Sequence, residues 1–146
     1  MTMAYTKRLP FIVPVLALAL AACSGGDVAS TPAPLTAKQS ERLDKEIGNR
    51  IAGKPVNCLS SSPQSNSIRI SDNIILYKTG STVYKSQLDY SCRGLANDDD
   101  VMVVETFGGY YCKGDIFQLV DRFGGIPGPI CRFGAFVPYR KADGGS

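Results

Sequence analysis

The chain has 146 residues, with 16 Lys and Arg against 13 Asp and Glu, five cysteines, and neither histidine nor tryptophan. Without histidine, Ser–His and Cys–His nucleophile pairs are excluded and the commonest metal ligand is missing. A formal charge of +3, with no Lys/Arg run interleaved with aromatics, gives no basis for a nucleic-acid partner.

Residues 1–22 read as a targeting segment. Lys7 and Arg8 open it, and Leu9 to Leu20 form an apolar stretch of about a dozen residues, shorter than the roughly 20 that span a bilayer. Pro10 and Pro14 disfavour a continuous helix there, and the small residues Ala21 and Ala22 precede Cys23. Leu20-Ala21-Ala22-Cys23 resembles the lipobox of bacterial lipoproteins. The resemblance implies a diacylglyceryl group on the Cys23 thiol, cleavage just before it, and a further acyl chain on its amine. It makes the lipid bilayer a partner, because several acyl chains hold a protein where one gives only marginal binding. Ser24, where an aspartate would favour the inner membrane, implies delivery to the outer membrane facing the periplasm. Loss of 1–22 removes Lys7 and Arg8 and no acid, leaving 14 basic residues against 13 acidic ones, a net charge of +1.

Lipidated Cys23 heads a Gly/Ser/Pro-rich linker, 23–35, whose dozen residues can reach roughly 40 Å when extended. A single domain is expected over 36–141, followed by a frayed tail, 142–146. The domain starts with a helix. Thr36 and Gln39 fit a capping box, and Leu43, Ile47 and Ile51 form an apolar stripe. Glu41–Lys45 and Glu46–Arg50 are i,i+4 pairs, and Gly53 with Pro55 supplies a stop.

Strand patterns follow. "VNCL" is a short edge, "SSSPQSNS" a loop, and "SIRI" alternates before a turn at Ser71-Asp72-Asn73. "IILYK" and "TVYKSQL" flank a three-residue loop, Thr79-Gly80-Ser81, and read as a hairpin. "VMVVETF" (Val101–Phe107) is the strongest strand, "DIFQLVD" (Asp115–Asp121) a second, and "GAFVPYR" a last one that Pro138 places at an edge. "FGGIPGPICRFG" reads as a constrained loop, suited either to recognition or to a disulfide-tied turn. The expected fold is α+β: one N-terminal helix on a small, mostly antiparallel sheet of five or six strands or a partial barrel, with two disulfides.

Cys58, Cys92, Cys112 and Cys131 form an even set in an exported chain, which points to two disulfides. Spacing alone leaves three pairings open. If 101–107 and 115–121 are antiparallel neighbours, Cys92 and Cys131 fall at one end of the sheet and Cys58 and Cys112 at the other. That topology leans to Cys58–Cys112 and Cys92–Cys131. The cysteines are 34, 20 and 19 positions apart with no C-x2-C pair, so neither a tetrathiolate metal site nor a redox motif is expected, and no cofactor is implied.

Other chemical candidates read as structural. Asn97-Asp98-Asp99-Asp100 reads as a solvated turn and lacks the spacing of a calcium loop. Ser60-Ser61-Ser62 reads as loop rather than as a Ser–Lys nucleophile site. Tyr77, Tyr84, Tyr90, Tyr110, Tyr111 and Tyr139 lie in or beside strands, where half-buried sheet positions compete with a sugar- or protein-binding face.

Taken together, "RIAGKPVNCL", "ILYKTGSTVY", "YCKGDIFQLVDR" and "CRFGAFVPYR" resemble a group of small exported alphaproteobacterial domains of unknown function, over about residues 47–140. The resemblance implies one exported domain and brings no catalytic residues. The functional expectation is a non-catalytic, membrane-anchored envelope module that binds a protein or a glycan. The alternatives are a periplasmic hydrolase using carboxylates or a Ser–Lys pair, and a small envelope enzyme inhibitor.

Overall fold

The computed structural model describes residues 33–61, 66–106 and 108–142. In chain order the elements are α1 (Ala37–Ile47), β1 (Ile51–Ala52), β2 (Cys58–Ser60), β3 (Asn66–Ser71), β4 (Ile74–Thr79), β5 (Thr82–Gln87), β6 (Asp100–Val104), β7 (Tyr110–Cys112), β8 (Ile116–Asp121), β9 (Pro127–Arg132) and β10 (Phe136–Arg140). The expected signal segment, Cys23, most of the linker, Ser62 and the tail beyond Ala142 lie outside the described residues. The α+β class with one helix and antiparallel pairing is as expected, but the strands divide among three sheets rather than one. Their orders are β1-β10-β5-β4-β3, β6-β8-β9 and β2-β7.

The helix begins where local chemistry dictates. The Gln39 amide donates to Thr36 Oγ1 (3.3 Å), and the Thr36 amide donates to Gln39 Oε1 (3.0 Å). It ends four residues before Ile51, because Gly48 adopts φ +60° and its amide closes on Asp44. Ile51 therefore leaves the expected helical stripe, sits in β1 and is 63% exposed. The expected Glu46–Arg50 pair is replaced as well. Glu46 pairs with Lys78 of β4, while the Arg50 guanidinium donates to the last helical carbonyls, those of Glu46 and Ile47 (3.1 and 2.9 Å).

β4 organises the layers. Ile74, Ile75, Leu76 and Tyr77 are all buried, so the strand is covered on both faces. Ile74 and Leu76 join Ile70 and Val83 under Leu35 and Leu43, forming the core between the large sheet and α1. Ile75 and Tyr77 point the other way, into a cluster with Leu59, Phe117, Leu119, Phe133 and Phe136. The two smaller sheets cover that second face. The layer order is thus helix, large sheet, small sheets.

Three details differ from the sequence pattern, each for a backbone reason. Thr79 pairs with Thr82, so the hairpin loop is the two residues Gly80-Ser81, with Gly80 at φ +58° as a tight turn of this kind requires. β10 is not an edge strand. Pro138 is tolerated because its peptide groups point toward the β1 side, where Gly53 donates to the Pro138 carbonyl just past the end of β1. Pro127–Arg132 is a strand, not a loop. Pro127 lies opposite Val120 on an edge strand, and Pro129 falls where the register shifts between Gln118 and Val120.

Gly134 joins the two main sheets. Its carbonyl accepts from the buried Ser86 hydroxyl (3.3 Å), and a Cβ built on it would lie 1.7 Å from the Gln87 carbonyl oxygen. Tyr77 is the other tight point. Its ring stands 5.6–6.2 Å from those of Tyr111, Phe133 and Phe136, and its hydroxyl has no hydrogen-bond partner among the described residues. Burial first, and Tyr111 second, push that hydroxyl well above the ordinary tyrosine range, against an opposing pull from Arg69.

Two stability measurements follow. Gly134→Ala should lose about 3 kcal/mol in urea unfolding, since backbone must move to admit the methyl group. Tyr77→Phe should be neutral or stabilising by up to about 1 kcal/mol, because it removes a buried hydroxyl that lacks a partner. A clear loss in that variant would mean the hydroxyl is satisfied.

Candidate interaction face

Alternation within β6-β8-β9 gives that sheet two unlike faces. Met102, Val104, Phe117, Leu119 and Cys131 point inward, to the core cluster. Val101 and Val103, Ile116 and Val120, and Ile130 lie on the opposite face, with Gln118 at its centre. No described layer covers that side. Ile130 is 65% exposed, and a hollow of about 90 Å³ opens between Val103, Ile116, Gln118 and Ile130.

The turn after β8 adds two more exposed apolar residues. Phe123 is 86% exposed and Ile126 68%. The backbone that carries them is hydrogen-bonded. The Asp121 carboxylate accepts from the Phe123 and Gly124 amides, the Gly125 amide donates to the Asp121 carbonyl (2.9 Å), and the Asp121 amide donates to the Ile126 carbonyl (3.0 Å). Gly125 takes φ +62°, which completes the tight return. An ordered turn at the end of the sheet therefore carries an aromatic ring in water. Apolar side chains left uncovered together in this way are a candidate interaction face.

Of the stretches singled out from the sequence, "FGGIPGPICRFG" supplies Phe123, Ile126 and Ile130 to this region, and the other candidates fall elsewhere. Cys58 pairs with Cys112 (Cα–Cα 4.0 Å) and Cys92 with Cys131 (5.8 Å). The first bridge links direct cross-strand neighbours on β2 and β7. The flanking bonds from the Lys113 amide to Asn57 and from the Ser61 amide to Gly109 place it at a non-hydrogen-bonded position, where strands approach most closely. The second bridge is buried in the main core.

The tyrosines do not assemble a platform. Tyr77 is buried, Tyr84, Tyr111 and Tyr139 are half-buried, and the exposed Tyr90 and Tyr110 lie on different segments. Lys85 sits over the Tyr139 ring at 5.9 Å. The acidic run is held by arginines from three directions. Arg69 donates to the carbonyls of Asn97 and Asp100 (both 2.8 Å), Arg122 donates to that of Asp98 (3.4 Å), and Arg42 faces the Asp98 carboxylate (3.8 Å). Other carboxylates cap turns. Asp72 accepts from the Ala96 amide and Asp115 from the Cys112 amide. Ser60 lies in β2 opposite Tyr110. Among the described residues, no three His, Cys, Asp or Glu gather where they could hold a metal ion.

Sequence patterning missed the outer face, since "VMVV" is apolar at every position and reads as buried on both sides. The Phe123–Ile130 segment did carry a signal: an aromatic and two isoleucines set among Gly and Pro with no core periodicity.

The tip gives a direct measurement. Asp121→Ala should speed amide exchange of residues 122–126 at least tenfold, with strands β4 and β5 unchanged, because one carboxylate orients two of the tip amides. Unchanged exchange at the tip would show that the carboxylate is not what orders it. No protein-family model, no curated protein and no solved structure matches this chain.

Proposed function

We propose that this protein is a membrane-tethered, non-catalytic interaction module of the bacterial cell envelope. Acyl chains on Cys23 hold it at the outer membrane on the periplasmic side, and the outer face of β6-β8-β9 binds a protein partner. The observation that carries this reading is the uncovered aliphatic face with its preorganised Phe123 tip. Aliphatic side chains fit a protein surface better than a glycan, whose rings are gripped by aromatic platforms. The dispersed tyrosines thus favour a protein among the two partners considered.

The layer order supports the arrangement. The linker enters at α1, on the helical side of the large sheet, whereas the apolar face lies beyond the small sheet on the other side. A domain tethered this way offers the face to neighbours instead of pressing it against its own attachment point. Tethering also raises the effective concentration of any partner confined to the same membrane.

Two measurements test the reading. Intact-mass analysis of protein purified from envelopes should give a chain starting at Cys23 with three acyl chains, and Cys23→Ser should leave the membrane fraction. A photo-crosslinking residue placed at Phe123 or Ile130 should yield protein adducts in living cells, whereas one at the solvent-facing Glu41 should not. A mature chain starting elsewhere would end the anchor proposal, and absence of adducts from the face would end the binding proposal.

A further inference from the structure

We infer that the occupant of this face is a second copy of the same chain, docked about a two-fold axis that runs along β8. The inference rests on reading the outer face as a binding surface, and it names the partner. Three features of the face select it.

The first is the charge pattern. Ile116 pairs with Arg132 on one side, and Glu105, one residue past the Val104–Phe117 pair, flanks it on the other. The row across the sheet is therefore acid, isoleucine, base. A two-fold axis along β8 turns this row onto itself in reverse. Glu105 of each copy meets Arg132 of the other, and Ile116 meets Ile116. The next row follows the same rule, with Val103 against Ile130 of the second copy. Such reciprocity is what a closed two-fold interface demands. The β9-side tip, with Phe123 and Ile126, comes over Val101 on β6 of the second copy.

The second is area. Val101, Val103, Ile116 and Ile130 are 42%, 49%, 43% and 65% exposed on one side of the sheet, with Phe123 and Ile126 in the adjoining turn at 86% and 68%, and a stable complex covers roughly 800 Å² per partner. Sheets stack face to face with strands nearly aligned, so an axis along β8 suits the packing of two such sheets.

The third is that the edges of the sheet reject the same partner. Antiparallel pairing of β6 with its copy about Met102 would set Asp99 against Glu105, like charge opposite like charge. At the other edge, Pro127 has no amide to offer. The face is left as the self-complementary surface. With the axis normal to the bilayer, the α1 layers lie on the two flanks of the dimer and both linkers reach one leaflet.

Sedimentation equilibrium of the full chain, purified from envelopes in density-matched detergent, tests the inference. The expected mass is twice that of one lipidated chain. Glu105→Arg and Arg132→Glu should each weaken the dimer at least tenfold, because each sets like charges face to face, and the double exchange should restore it. Val103→Asp should give a folded monomer, with the far-ultraviolet circular dichroism of the wild type and a urea midpoint that no longer rises with protein concentration. A wild-type monomer at every concentration, or a double exchange no tighter than the single ones, would overturn the second copy as occupant. If adducts at Phe123 then join this chain to a different protein, the binding module stands with a foreign partner. If there are no adducts either, both readings fall.

Discussion

Double-sided burial of β4 is the constraint around which the domain is organised. Four consecutive large side chains, Ile74 to Tyr77, alternate between two cores and are essentially without solvent contact. Each such burial contributes about 1.5–3 kcal/mol as an upper estimate. A strand of this kind is stable only if both sheet faces are covered. The helix covers one face without burying any of its own residues fully, so it acts as a lid with half-buried Leu43 at its centre. The other face needs Phe117, Phe133, Phe136 and Tyr111, which come from three later segments. The small sheets carry Tyr111 and Phe117, Phe133 follows β9, and Phe136 comes from β10 of the large sheet itself.

The two disulfides meet different needs. A two-stranded sheet with three residues per strand is marginal by itself. β2 and β7 form such a sheet, and Cys58–Cys112 joins them at their point of closest approach. Cys92–Cys131 ties the segment after β5 to β9 inside the core. It links the large sheet to the three-stranded sheet, and the contact of Gly134 with Ser86 and Gln87 adds a second link between the end of β5 and the chain after β9. The outer face is in this way mounted on a rigid frame, although no layer covers it.

What could be read along the chain was whatever depended on near neighbours. The capping box of Thr36 and Gln39, the hairpin at Gly80 and the strand at 116–121 are encoded within a few residues. The helix end was misread because Gly53 and Pro55 look like a stronger stop than Gly48, yet the chain turns at the first glycine that can take a positive φ. β9 was hidden by its Gly and Pro content, which is compatible with a strand only at an edge and at a bulge. Division into three sheets depends on pairings far apart in sequence, such as β1 with β10. The outer face was the least legible feature. Val101 and Val103 differ from Met102 and Val104 only in which neighbours the tertiary structure supplies.

That face also shows how exposed apolar sheet can be kept specific. Open strand edges are the usual route to indiscriminate association. Here Arg69 occupies the Asp100 carbonyl on one edge strand, acids flank β6 at both ends, and proline interrupts the other edge. Backbone pairing is thereby discouraged, and the proposed recognition surface is one of side chains. Gln118 sits at its centre with its amide held by the Gly128 carbonyl (3.3 Å), so the middle of the patch is polar but satisfied. The Asp121 carboxylate orders the backbone that carries Phe123 before any partner arrives, which removes part of the ordering entropy that association otherwise costs. A surface with closed edges and a hydrogen-bonded polar centre favours one docking geometry over many, and in the proposed dimer the opposite charges of Glu105 and Arg132 on either side of Ile116 set which geometry that is.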